Sequence, residues 1–228
     1  MHPIFVHASK PEDWQTNLAD PHKHWRVGYS AWALAHCWMA AKGFPDEINR
    51  LFKASGIPAF QTITPLIIIP EYQVSFPPLQ GHPSQNDLFA LAKSADGGLI
   101  SLTVEGKVSE SFGKTVGDWL AKPTPGKMVR LEHIRNLLGL NDIPAHIRYQ
   151  LLHRTASAVI EALRFNAQYA AMIVHSFSQQ DAWFEDFTTF LGLFSARVQL
   201  GQLIPLTEIQ GVELYAGWAR GDAKYLEV

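Results

Sequence analysis

The sequence predicts an α/β domain in which a mixed central β-sheet is flanked by helices, and three observations carry that expectation. Leu99 to Val108 alternates Ile100, Leu102, Val104 and Val108 with Ser101, Thr103, Glu105 and Lys107, the period of two that marks a strand. Ser30 to Lys42 and Pro144 to Gln168 instead carry their apolar residues at helical spacing. Between and after them, Ile63 to Phe76, Asp87 to Lys93 and Ala170 to Phe177 are β-rich or apolar runs bounded by Pro, Gly and Ser.

Taken in order, the segment up to about Pro21 lacks sustained periodicity and is expected to wrap the surface. Ser30 to Lys42 reads as a helix with Ser30 as N-cap and Gly43 as stop, and a second short helix follows Pro45. Ile63 to Phe76, bent at Pro70, and Asp87 to Lys93 read as a hairpin, and Gly97-Gly98 turns the chain into the Leu99 strand. A Pro- and Lys-rich loop, Lys122 to Lys127, leads to a short helix around Leu131 to Leu138 and then to the long one. On that long helix Gln150, His153, Arg154, Ser157, Glu161 and Arg164 share one narrow arc, with most of the remaining circumference apolar. Trp183, Phe184, Phe187, Phe190, Leu191 and Phe194 form a core-facing stripe of a last helix, and Pro205 to Tyr215 is expected to add an edge strand. With 228 residues, 47% hydrophobic and 18% charged, the chain buries a sizeable core, which excludes disorder. A single domain, 1–228, is expected, with a core of about 25–194, an N-terminal wrap 1–24 and a C-terminal extension 195–228.

The net charge of −2 argues against a protein that coats nucleic acid through bulk positive charge. By segment, however, 107–164 holds nine basic residues against five acidic ones, whereas both flanks are acidic. The longest strongly apolar run, Pro65 to Pro70, is too short to span a bilayer, and no basic patch followed by an apolar stretch opens the chain. The single cysteine, Cys37, cannot close an internal disulfide. A cytoplasmic protein with no membrane association is the expectation.

The chemistry concentrates at the end of the Leu99 strand. Pleating puts Glu105 and Lys107 on one face, about 7 Å apart. An antiparallel hairpin brings Asp87, at the start of the preceding strand, beside them. Asp87 and Glu105, with the Gly106 carbonyl, then offer hard oxygen ligands suited to Mg²⁺, and Lys107 stands beside the metal-bound water.

The Asp87 and Glu105-Gly106-Lys107 pattern, set in a helix, three strands, helix, strand order, resembles the PD-(D/E)XK nuclease-like superfamily of restriction-type phosphodiesterases, and within it a small uncharacterised bacterial family. The similarity covers roughly Trp25 to Phe194, with Pro83 to Asp87, Val104 to Val108 and Arg148 to Arg154 as its most distinctive stretches. Asn86 stands where a proline gives the superfamily its name, and Ser30 to Lys42 offers no carboxylate. The resemblance implies a restriction-endonuclease-like core and hydrolysis of a phosphodiester in DNA, less so in RNA. Asp87 and Glu105 would hold Mg²⁺ or Mn²⁺, and Lys107 would position or deprotonate the attacking water. Gln150, His153 and Arg154 are auxiliary candidates for orienting water or gripping phosphate, with Glu71 and Glu110 as reserve carboxylates.

Other patterns fail on context. Gly113-Lys114-Thr115 lacks the upstream glycine of a phosphate-binding loop, since Val108 stands there; His22 and His24 have no partner pair at zinc spacing; and His175-Ser176 reads as strand-end polarity. The rival expectation is a catalytically inactive nuclease-like fold that binds nucleic acid or protein. A third is a structural protein, and a homodimer through the aromatic stripe is compatible with any of them.

Overall fold

In the computed structural model, which describes residues 8–18, 20–77 and 81–227, the N-terminal segment holds a 3-10 turn (Pro11–Asn17) and one helical turn, α1 (Pro21–His24). Trp14 is buried, so the expected wrap is anchored in the core. Its first seven residues lie outside those described. Helix α2 (Ser30–Ala40) follows and buries Leu34, Cys37 and Trp38. Ser30 is not its N-cap; Tyr29 holds that position, and the Ser30 amide donates to Glu110 Oε1 at 3.0 Å. A carboxylate distant in sequence thus satisfies the orphan donor at the helix's positive end. Helix α3 (Asp46–Ala54) matches the short helix expected after Pro45.

The hairpin forms as β1 (Thr64–Val74) and β2 (Ser84–Lys93), and β2 continues antiparallel into β3 (Leu99–Lys107). The bend in β1 falls one residue later than expected, at Glu71, whose φ of 52° is left-handed. In β3 the alternation has a meaning the sequence did not suggest, because both faces are covered. Ser101, Thr103, Glu105 and Lys107 are buried, facing a helix rather than water. Ser101 Oγ donates to the Ala158 carbonyl at 2.8 Å and Thr103 Oγ1 to the Arg154 carbonyl at 3.1 Å. Buried hydroxyls need such partners, and the helix backbone provides them.

A capped turn, α4 (Val116–Trp119), precedes α5 (Pro125–Leu137). The short helix therefore begins well before Leu131: Thr124 accepts from the Lys127 amide as N-cap and Pro125 occupies the first turn. The long helix, α6 (Tyr149–Phe165), starts later than Pro144 and stops at Asn166 in the left-handed conformation. Strand β4 (Tyr169–Ser176) pairs parallel with β3, and α7 (Phe184–Leu191) buries Phe187, Phe190 and Leu191 as the aromatic stripe predicts.

The C-terminal stretch is not one appended edge strand. It is a hairpin, β5 (Leu203–Ile209) and β6 (Val212–Arg220), and β6 pairs parallel with β4 along its length. The sheet order is β1-β2-β3-β4-β6-β5, so the segment expected as an extension supplies one interior strand and one edge. Two apolar layers cover the open mixed sheet. One packs Leu34, Trp38 and Phe52 against Ile68, Leu102 and Ile173; the other packs Leu152, Val159 and Phe187 against Met172, Val174 and Trp218. Among the described residues no helix is long and apolar enough to cross a membrane.

Candidate functional site

Asp87, Glu105, Gly106 and Lys107 come together where β2 begins and β3 ends. Leu88 pairs with Val104, which sets Asp87 across from Glu105. Asp87 Oδ2 accepts from the Gly106 amide at 2.8 Å. A Cβ on Gly106 would lie 3.4 Å both from that oxygen and from Ser30 Cβ, so glycine suits the close approach of α2 and Asp87. Lys107 Nζ donates to Glu105 Oε1 at 2.6 Å and to Gln150 Oε1 at 3.3 Å, and lies 4.8 Å from the centre of the Phe112 ring.

Helix α6 lays its polar arc over this corner. Arg154, a candidate for orienting water or gripping phosphate, is only 6% exposed and acts as an internal clamp. Its Nε donates to Glu105 Oε2 at 2.6 Å, its Nη2 lies 3.8 Å from Asp87 Oδ1, and its Nη1 donates to Ser84 Oγ at 3.1 Å. Ser84 Oγ in turn sits 2.7 Å from His153 Nδ1. With its acceptor role filled by Arg154, the Ser84 hydroxyl is free to donate to that nitrogen. Burial, reinforced by Arg154 and Arg130, pushes the His153 pKa well below its ordinary value, so the ring is neutral. Ser157 and Glu161, on the same arc, are also buried, and only Arg164 at its end is exposed.

The carboxylates differ in their ease of ionisation. Burial raises Glu105, but Lys107 and Arg154 outweigh it and hold its pKa below the usual range. Asp87 is pushed up to about 7 by burial and by Glu105, against the pull of Arg154, Lys107 and the Gly106 amide. Glu71 is pushed up to about 8 by burial and by Asp87, although Gln85 Nε2 donates to it at 2.7 Å. The register places Glu71 opposite Asp87, since Pro70 pairs with Leu88 and Tyr72 with Asn86. Asn86 Nδ2 donates to the Tyr72 carbonyl, tying down the chain just past the left-handed Glu71. Three carboxyl groups therefore share two cations, Lys107 and Arg154, and two of the three, Asp87 and Glu71, resist ionisation.

Asp87, Glu105, Lys107 and Gln150 line a cavity of about 590 Å³. Glu110 also borders it, but its two oxygens accept from the Ser30 and Val108 amides, a structural use of that reserve carboxylate. A second cavity, of about 650 Å³, adjoins the first and shares Trp119, Tyr149 and His153 with it. The Trp119 and Tyr149 rings stack at 4.0 Å with 11° between their planes. Sequence reasoning missed these residues, along with Ser84, Lys127 and Arg130, because nothing in the local pattern links the α4 turn to the start of α6.

The oxygen-rich donor set, Asp87, Glu105 and the Gly106 carbonyl, fits a hard divalent cation. The structure sets one condition: both Glu105 oxygens are already engaged, whereas Asp87 Oδ1 has only the 3.8 Å approach of Arg154. Ligation through Glu105 would have to share an oxygen with Lys107 or Arg154.

His22 and His24 lie on the exposed turn α1, and Thr115 caps α4; His24, Gly113 and Lys114 border the carboxylate cavity, but neither motif assembles a site of its own. His175, expected to be strand-end polarity, is instead fully buried between Trp38 and Glu47. Cys37, Glu47 and His175 are the one group of three such ligands within 4.8 Å of one another among the described residues. Trp38 Nε1 can only donate, which makes His175 Nδ1 an acceptor and leaves the ring proton on Nε2, aimed at Glu47. Cys37 donates to the same Glu47 oxygen at 3.3 Å, and burial pushes its thiol pKa far up. A proton-filled network of this kind is a buried hydrogen-bond chain rather than a ligand set.

A family model described as a domain of unknown function (DUF6946) matches residues 7–223. No curated protein and no solved structure matches the chain.

Proposed function

The chain belongs to the DUF6946 family, and we propose that it is a divalent-metal-dependent phosphodiesterase of the PD-(D/E)XK nuclease-like kind, acting on DNA in preference to RNA. The single observation that carries this reading is the convergence of Asp87, Glu105 and Lys107 on one open cavity, with Glu71 in register opposite Asp87. In this reading α2, β1 to β3, α6 and β4 are the restriction-endonuclease-like core. Asp87, Glu105 and the Gly106 carbonyl are the candidates to hold Mg²⁺ or Mn²⁺. Such a cation lowers the pKa of a bound water and neutralises phosphoryl oxygens as charge builds on them.

The chain's own groups supply the rest. Lys107 positions the attacking water and counters transition-state charge, and Gln150 steadies its ammonium. Arg154 fixes one oxygen of Glu105, and Ser84 and His153 fix Arg154. Glu71 adds a further carboxyl opposite Asp87. The rival reading, a noncatalytic nucleic-acid-binding module, draws on one observation as well: both Glu105 oxygens are paired to the protein's own cations.

Incubating plasmid and single-stranded DNA with Mg²⁺ or Mn²⁺ tests the choice. Cleavage is expected to fall about 10²-fold or more in Lys107→Ala and in Asp87→Asn. Cleavage undiminished in both variants would assign it to a contaminant or another site. No cleavage, with salt-sensitive DNA affinity retained, would establish the binding module instead.

A further inference from the structure

The positive excess of 107–164 resolves into two groups once its partners are known. Lys107, Arg135, Arg148, Arg154 and Arg164 form ion pairs with carboxylates of the chain. Lys114, Lys122, Lys127 and Arg130 form none among the described residues, and three of these four line the two adjoining cavities. Lys127 and Arg130 are held by neutral acceptors. Lys127 Nζ donates to the Trp119 and Lys122 carbonyls at 2.6 and 2.9 Å. Arg130 Nε donates to Tyr149 Oη at 2.8 Å, and its guanidinium lies 4.3 Å from the Phe76 ring centre. Both cations are therefore positioned without being neutralised, which is what an incoming phosphate requires.

The walls of the second cavity are of the opposite character. Pro83, Trp119 and Tyr149 present flat, largely apolar surface, backed by Phe76 beneath Arg130, and at about 650 Å³ the space is in the range of small-ligand sites. An aromatic chamber with a cationic wall complements a group that is itself a flat ring joined to an anion, a nucleotide. Because Trp119, Tyr149 and His153 also border the carboxylate cavity, a nucleotide seated here would have its neighbouring phosphate next to Asp87 and Lys107. A base stacked and paired in a duplex presents only its edges, so entry requires an unpaired one.

We propose that the cavity walled by Phe76, Trp119 and Tyr149 and flanked by Lys127 and Arg130 seats an unpaired nucleotide beside the bond to be cut, making single-stranded or frayed nucleic acid the substrate class. The proposal deepens the phosphodiesterase reading and rests on it for the word substrate; the binding itself can be measured apart from cleavage.

Labelled oligo-dT, oligo-U and a blunt duplex of equal length, titrated in EDTA and followed by fluorescence anisotropy, provide the test. The native protein is expected to bind a single strand about tenfold more tightly than the duplex, and the dT and U arms show whether the sugar matters. The Lys127→Gln/Arg130→Gln pair should lose about tenfold in single-strand affinity, and its slope of log affinity on log salt should fall by about 1.4, for two lost phosphate contacts. Lys127→Gln alone leaves the Phe76 packing intact; it should lower the slope by about 0.7 while the cooperative unfolding transition is retained. Equal affinity for duplex, or unchanged affinity and slope in these variants, would overturn the proposal. Adding Mg²⁺ separates the two readings: binding that depends on Lys127 and Arg130 without any cleavage sinks the nuclease and keeps the pocket. Cleavage of blunt duplex as fast as of single strand sinks the pocket and keeps the nuclease.

Discussion

At Asp87 the fold holds a carboxyl group whose ionisation it resists, and the pH dependence of stability should reveal it. Its pKa rises from 3.8 to about 7 on folding, and that of Glu71 from 4.5 to about 8. A raised folded-state pKa means that the native protein binds the proton more tightly than the unfolded chain does. The stability it contributes is full below about pH 4 and is lost as pH rises through 7 to 8. Glu105 and Glu47 are shifted the other way, so their contribution is complete above pH 4.5 and declines only in more acidic solution. Urea unfolding in EDTA should therefore show the native protein losing stability from pH 5 to pH 8. Asp87→Asn should flatten part of that fall and exceed the native protein by about 2 kcal/mol at pH 8. A difference between the two proteins that is the same at both pH values would refute the shift. Mg²⁺ should stabilise the native protein more at pH 8 than at pH 5, because only the ionised carboxylate attracts it.

At the scale of elements, the sequence disclosed which segments are regular more readily than what covers them. The alternation of β3 was legible because a period of two has one meaning, and the Asp87 and Glu105 pairing followed from the hairpin. What the sequence leaves open is the partner of Ser101, Thr103 and the arc from Gln150 to Glu161, since amphipathic strand and helix are turned toward each other. A polar face marks solvent only when no other polar face is available to meet it, and pairing between elements is nonlocal information. The same cause hid Arg154 as a clamp and the Trp119 and Tyr149 wall. By contrast, the early start of α5 was written locally, in the Thr124 cap and Pro125. The β3 and α6 interface makes a definite prediction: Thr103→Val removes the hydroxyl bond to the Arg154 carbonyl while keeping the shape. It should cost about 1 kcal/mol of unfolding free energy, measured by urea, with the denaturant slope unchanged. A neutral result would mean that the strand's polar face does not hold α6 in place.

At the scale of the whole molecule, the hairpin after residue 194 decides what the folding unit is. Strand β6 pairs with β4 from Tyr169↔Glu213 to Ser176↔Arg220, so without it the parallel centre of the sheet would end in an open edge. Trp218 is fully buried and packs its ring against Phe112, Phe184 and Phe187, which joins β6 to α7 and to the loop after β3. The turn out of β6 is equally constrained: a Cβ on Gly221 would lie 2.4 Å from the Phe177 ring, and the Gly221 amide donates to the Ser176 carbonyl. Removing one such aromatic side chain costs about 3–5 kcal/mol, a large share of the roughly 5–15 kcal/mol that holds a domain together. Removing the whole hairpin discards Trp218 together with Leu214, Ala216 and the ladder to β4. A chain ending at residue 194 should therefore show no cooperative urea transition and should bind a hydrophobic dye as a collapsed state does. Trp218→Ala in the full chain should keep a two-state transition, weakened by about 3–5 kcal/mol. A truncated chain that unfolded cooperatively near the native midpoint would restore 195–228 to the status of an extension, and the sheet would then be complete at β4.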